Sequence, residues 1–167
     1  MPYDRKRCGG LRYNCSIQWS GSFTGLRIGA ATGKGLALAL DKPMVAVPTL
    51  EAMAYNFYGD DRIICPVMDA RRAHLYSGLY RFKNGKLITV HEQCLISYGE
   101  LAGILNEVKE KVVFVGDGIE AAKDYFKDNL TCNYTFSPAG LRTQRLHRLP
   151  LQLLIWLMRE RQSDQIC

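Results

Sequence analysis

The sequence predicts a layered α/β or α+β domain, and three observations predict it. Helical and strand patterns alternate from about residue 21 to 136, the hairpin dipeptide Asn84-Gly85 sits inside a meander of strands, and the apolar run Val112 to Val115 leaves by the sharp turn Gly116-Asp117-Gly118. At 167 residues, 47% hydrophobic and 23% charged, the chain holds enough apolar material for one sizeable core.

Taken in order, Gly25 to Leu40 reads as a small-residue-rich helix led by the caps Ser22 and Thr24 and stopped at Asp41-Lys42-Pro43. Met44 to Val47 is a short apolar strand, and Pro48-Thr49 opens a helix through about Phe57. Gly59-Asp60-Asp61 marks a boundary. Ile63 to Met68 and Leu75 to Phe82 are adjacent strands around the polar run Asp69 to His74, and the Asn84-Gly85 turn leads into Leu87 to Val90. Ser97-x-x-Glu100 is a capping box, in which hydroxyl and carboxylate satisfy free amides at a helix start, and that helix runs to about Val108. Ile119 to Lys127 is a further helix, and Cys132 to Phe136 adds a last strand.

Composition excludes several function classes. The longest apolar stretch, Leu149 to Met158, carries Pro150 and Gln152 and falls short of the roughly 20 apolar residues a bilayer span needs. No membrane association is expected, and the first residues carry no apolar export segment. Six cysteines (Cys8, Cys15, Cys65, Cys94, Cys132, Cys167) are scattered without a Cys-x-x-Cys pair, which reads as reduced thiols in a cytoplasm. The net charge of +6 divides into +3 over residues 1–25, +3 over 141–167 and none over 26–140, so the basic character belongs to the ends.

No catalytic constellation is legible. His74, His91 and His147 lie far apart without metal-ligand spacing, so no metal site is expected. The segment from Gly21 to Gly35 approaches a phosphate loop but has Ile28 and Gly35 where that loop needs Gly and Ser/Thr. A nucleophile elbow fails likewise, with Phe23 at its centre. Gly21, Gly25, Gly29 and Gly33 recur every four residues and would line one helix face without side chains, inviting close approach of another helix. Packing inside the domain is the plainer outcome, a subunit interface the sharper one. Asp69, Arg71, Arg72 and His74 form a charged cluster that reads as an anion contact or a solvated turn, and Asp117 as a nucleotide contact or a helix cap.

The ordered motifs Gly21-Ser-Phe-Thr-Gly-Leu-Arg-Ile-Gly29, Ala31-Thr32-x-Lys34-Gly35-Leu36-Ala37, Pro48-Thr-Leu-Glu-Ala52, Asp69-Ala-Arg-Arg72 and Tyr76-x-Gly-Leu-Tyr80 resemble the TsaB (YeaZ) family over about residues 20–140. The resemblance implies the glycoprotease-like (Gcp, peptidase M22) superfamily and an actin/Hsp70-like ATPase, ribonuclease H-like fold, here with a truncated first lobe and most of the second. It implies a non-catalytic subunit without a cofactor of its own. In the family, TsaB pairs with the catalytic TsaD and, with the ATPase TsaE, helps form N6-threonylcarbamoyladenosine at position 37 of tRNAs reading codons that start with A. The complex uses ATP and a metal, the metal ligands lie on TsaD, and the threonylcarbamoyl group arrives as an adenylate. A homodimer is expected where TsaD is missing, and tRNA is engaged only through the complex. The expected partner interface is Ser22, Phe23, Thr24, Gly25, Leu26, Gly29, Thr32, Gly33 and Leu36, with Arg27, Lys34, Asp69, Arg71, Arg72 and Asp117 as ligand or structural contacts. The competing reading is an independent nucleotide- or small-molecule-binding enzyme built on residues 21–35.

On this resemblance residues 1–20 lie outside the family pattern, 21–60 are a remnant of the first lobe, 61–140 form the second lobe, and 141–167 depart again. The family's Gly-Pro-Gly stands where this chain has Trp19-Ser20-Gly21. Slips in reading frame are expected at both ends. With freely chosen codons, residues 11–21 read one base later spell Phe-Asp-Ile-Ile-Ala-Val-Ser-Asn-Gly-Pro-Gly, and residues from about 146 read one base earlier spell an alanine-rich helix.

Overall fold

The computed structural model describes residues 14–18, 23–41 and 44–142, and the expectations for Ser22, for residues 1–13 and for the segment after Arg142 lie outside them. The chain divides into two units, one through Thr49 and one from Leu50.

In the first unit, strand β1 (Asn14–Gln18) pairs in parallel with β2 (Met44–Pro48), Asn14 opposite Met44 and Gln18 opposite Pro48. Helix α1 (Phe23–Leu40) connects them and packs on both. A parallel pair needs such a crossover because its strands run the same way. The helix begins before Thr24, which therefore lies in its first turn and not at the expected cap position. β1 alternates polar and apolar residues from Asn14 to Gln18, a strand signal not among the elements expected from the sequence.

The second unit begins in α2 (Thr49–Ala54), which tightens into a 3₁₀ turn at Tyr55–Phe57 and, through Gly59 to Asp61, leads into β3 (Ile63–Asp69). β4 (His74–Lys83) and β5 (Lys86–Ser97) complete an antiparallel meander, followed by α3 (Tyr98–Val108), β6 (Val112–Val115), α4 (Gly118–Asn129) and β7 (Tyr134–Phe136). The sheet order is β5-β4-β3-β6-β7, with β6 parallel to β3 and β7 parallel to β6. This is the expected α/β layering, with each sheet face covered by helix. On one face Cys65, Val67 and Leu79 pack under Leu101 and Leu105 of α3 and Ile119 and Phe126 of α4. On the other, Ile64, Tyr80, Phe82 and Val113 pack under Leu50, Met53 and Tyr55. Phe114 stacks on Phe126 at 4.8 Å between ring centres, and fully burying a side chain of that size contributes about 2–3 kcal/mol.

Local chemistry fixes the turns. Lys83 pairs with Lys86 across Asn84-Gly85, both turn residues at positive φ (53° and 73°), as the tight hairpin requires. Ser97 caps α3 by accepting from the Glu100 amide while Glu100 accepts from the Ser97 amide at 3.0 Å. β5 runs through Ser97, beyond the expected end at Val90, because two register shifts opposite Ser77, Leu79 and Tyr80 absorb the break in its alternation at His91 to Gln93. Pro66 sits in the central strand β3, where a proline removes a ladder bond, and the Ser77 hydroxyl donates to the Pro66 carbonyl at 2.9 Å.

Candidate functional site

Two surfaces hold the residues singled out from the sequence, one in each unit. On α1, Ala30, Gly33, Ala37 and Leu40 are half-buried, while Thr24, Gly25, Gly29, Thr32 and Leu36 are exposed. Gly25, Ile28, Gly29, Thr32 and Leu36 follow the three-and-four spacing of one helix face. Ile28 is 63% and Leu36 49% exposed, and a Cβ placed on Gly29 would meet nothing within 4 Å. The close helix packing inside the domain favoured from glycine spacing is therefore not made at Gly29. Gly33 departs from the expected open face, since a four-residue repeat drifts by about 40° per step around a helix of 3.6 residues per turn. Ile28 was missed because the spacing argument followed glycines alone, although i+3 from Gly25 points to it. The side chains of Phe23 and Leu26 lie outside the described set.

The same helix decides the phosphate-loop question. Residues 23–40 are continuously helical, so past the first turn the backbone amides of this segment are spent on helix bonds and cannot cradle a phosphate. Arg27 and Lys34 are exposed on it.

In the second unit, Asp69, Arg71, Arg72 and Asp117 come together at the carboxyl ends of the parallel strands β3 and β6. The Arg71 amide donates to Asp69 Oδ1 at 2.8 Å, the Ala70 amide to the His74 carbonyl at 3.0 Å, and the His74 amide to the Arg71 carbonyl at 3.1 Å. His74 Nδ1 lies 2.8 Å from the Arg72 carbonyl, and the Tyr98 amide donates to the Ala73 carbonyl at 3.2 Å. Within this frame Arg71, Arg72 and Ala73 all take left-handed φ, 65°, 52° and 56°. Each costs about 1–2 kcal/mol in a residue with a Cβ. Both arginines are exposed and make no ion pair among the described residues.

The β6–α4 turn presses against the base of this loop. Gly116 has φ 124°, and a Cβ on Gly118 would lie 3.1 Å from the Asp69 amide and 2.8 Å from Leu75 Cδ2. Asp117 occupies the cap position of α4 and is exposed, but its side chain makes no cap hydrogen bond, which removes the capping reading. A cap needs extended backbone to turn its side chain onto the first amides, and Asp117 is helical, with φ −76° and ψ −24°.

Among the described residues no group of three His, Cys, Asp or Glu is placed to hold a metal, and no helix is long and apolar enough to cross a membrane. Cys65 is buried beside Ser77, Sγ to Oγ 3.4 Å, and burial pushes its thiol up to about 12. A thiol so shifted is a poor nucleophile.

The model of the family described as "TsaD: tRNA N6-adenosine threonylcarbamoyltransferase" matches residues 21–167. The chain is 39% identical over 110 residues to the tRNA threonylcarbamoyladenosine biosynthesis protein TsaB of Bacillus subtilis (strain 168), covering 66% of this chain and 48% of the relative. It is 32% identical over 113 residues to the Escherichia coli (strain K12) protein of the same name, covering 65% and 48%. The chain thus spans about half the length of the curated relatives it matches. YeaZ from Pseudomonas aeruginosa shares the fold at TM-score 0.68 and 22% identity, over 90% of this chain and 68% of that one. A second Pseudomonas aeruginosa structure, described as similar to peptidase YEAZ, does so at TM-score 0.66 and 21% identity, over 89% and 67%. The expected actin/Hsp70-like architecture agrees with these neighbours and with the mixed sheet order. The chain belongs to the family of that model and is similar to the curated TsaB proteins over about two thirds of its own length.

Proposed function

We propose that the chain acts in forming N6-threonylcarbamoyladenosine at position 37 of tRNAs reading codons that start with A, as a non-catalytic subunit that pairs with and supports the catalytic TsaD. The observation that carries the reading is the exposed α1 stripe Gly25, Ile28, Gly29, Thr32 and Leu36, with open space at Gly29. Glycine in a helix interior costs about 1 kcal/mol relative to alanine, so glycines left facing solvent ask for a gain outside the chain. Backbone approach by a second helix supplies it. The TsaB name of the relatives supports the pathway.

In this reading the chain binds no cofactor of its own, and the ATP and metal used by the complex belong to TsaE and TsaD. It works in the cytoplasm, leaves discrimination between tRNAs to the assembly, and pairs with a second copy of itself through the same stripe where TsaD is missing.

The test is Gly29→Leu. With nothing within 4 Å of the Gly29 Cβ position, the helix accepts the new side chain while the open face is blocked. Co-purification with TsaD is expected to be lost with the thermal midpoint maintained or raised. Survival of the complex contradicts the interface.

A further inference from the structure

We infer that the turn from Asp69 to His74 is a contact point for the phosphate backbone of RNA, made by the guanidinium groups of Arg71 and Arg72. The inference rests on the tRNA-modification reading above and names a contact for it in the second unit.

The turn is built against local preference. Three consecutive residues with side chains, Arg71, Arg72 and Ala73, hold left-handed backbone, whereas the same protein places Asn84 and Gly85, which tolerate that conformation, at its other hairpin. Backbone strain kept at an exposed turn marks a segment held for what it presents. What this one presents is two neighbouring guanidinium groups, exposed and without an ion pair among the described residues.

Of the carboxylates near the turn, Asp69 and Glu100 accept hydrogen bonds, whereas Asp117 is exposed and makes no cap hydrogen bond. Asp69 Oδ1 accepts from the Arg71 amide at 2.8 Å, and Glu100 accepts from the Ser97 amide and hydroxyl at 3.0 and 2.7 Å. The turn is also tied to α3 through the Tyr98 amide and abutted at its base by the Gly116–Gly118 segment. It lies beyond the carboxyl ends of β3 and β6, the end at which open parallel sheets receive ligands. A planar guanidinium fork matches the paired oxygens of a phosphate. The neutral sum of charge over residues 26–140 hides this pair, because a sum over the segment does not show that two guanidinium groups are adjacent at one turn.

The test uses the full chain and purified tRNA, with affinity read by fluorescence anisotropy between about 50 and 200 mM salt. Two phosphate contacts predict that Arg71→Ala with Arg72→Ala lowers the slope of log affinity against log salt by about 1.5 and weakens binding several-fold at low salt. Arg71→Gly with Arg72→Gly, which relaxes the backbone, is expected to show the same loss in a protein at least as stable, separating contact from unfolding. Arg71→Lys with Arg72→Lys keeps the slope. An unchanged slope, or no tRNA binding by the parent at about 50 mM salt, overturns the inference. So does a polyglutamate bound as tightly as RNA with the same sensitivity to the arginines, which assigns the turn to an acidic protein segment. Formation of the modified adenosine with TsaD is read separately, and its failure counts against the proposed function alone.

Discussion

Gly116 lies so close to Val67 that a Cβ added to it would sit 2.0 Å from the Val67 carbonyl oxygen. With φ 124° at the same residue, neither the space nor the backbone admits a side chain. Gly116→Ala is therefore expected to destabilise the protein by about 3 kcal/mol or more, since both the β6–α4 turn and the end of β3 must shift. Urea unfolding checks it, and a loss below about 1 kcal/mol contradicts the close approach.

Ala73→Gly acts in the opposite direction. At φ 56° the change relieves about 1–2 kcal/mol of left-handed strain and returns about 0.4–1 kcal/mol through the freer unfolded chain. A net gain of about 0.5–1 kcal/mol is expected in the unfolding free energy. A loss of stability would mean that the turn is not strained.

Acid weakens the fold through three carboxyls held below their usual range, Asp60, Glu100 and Glu120, the last by Lys123 and Arg142. The side-chain bonds of Arg62 to Asp60, the shortest 2.6 Å, hold the Asp60 carboxyl below its usual range, and the Ser97 hydroxyl does the same for Glu100. The folded state thus binds fewer protons than the unfolded one in this range. Their contribution is present above the unfolded values, about 3.9 and 4.3, and fades as pH falls through the lower folded values. Denaturation midpoints at mildly acidic and strongly acidic pH are expected to draw apart in the parent and to differ less in Asp60→Asn with Glu100→Gln, where Glu120 alone of the three remains. An equal pH dependence in both proteins contradicts the assignment.

Cys65 reports on the core in alkaline solution. Burial raises its thiol to about 12, against about 8.5 in an unfolded chain, so its contribution is full below about 8.5 and declines as pH rises above that. Native protein treated with iodoacetamide near pH 8.5 is expected to leave Cys65 unmodified until denaturant is added. Alkylation of Cys65 as fast as of half-buried Cys94 and Cys132 would show that β3 opens readily.

Much of the second unit was legible because its signals are local. The Ser97–Glu100 box and the Asn84-Gly85 turn are short-range chemistry, and both stand where the sequence puts them. β5 beyond Val90 was not legible, because His91, Glu92 and Gln93 break the apolar alternation while cross-strand pairing with β4 carries the strand past them. At the candidate sites, charge spacing found Arg71 and Arg72 but not their backbone, which no propensity favours. Glycine spacing found Gly25 and Gly29 but took Gly33 with them and overlooked Ile28, because a four-residue repeat does not hold one face.

The central claim, a supporting subunit without catalysis of its own, is tested most directly by mass-spectrometric measurement of threonylcarbamoyladenosine in tRNA. The chain, and a version with both ends restored to the family frame, are incubated with ATP, threonylcarbamoyl-adenylate and tRNA, with and without TsaD and TsaE. On the proposed reading the transfer belongs to TsaD, so no product is expected without TsaD. With TsaD and TsaE present, product is expected only when a form of this chain is added. Modified adenosine made by the chain without TsaD, or a TsaD and TsaE mixture that neither form improves, would contradict the claim.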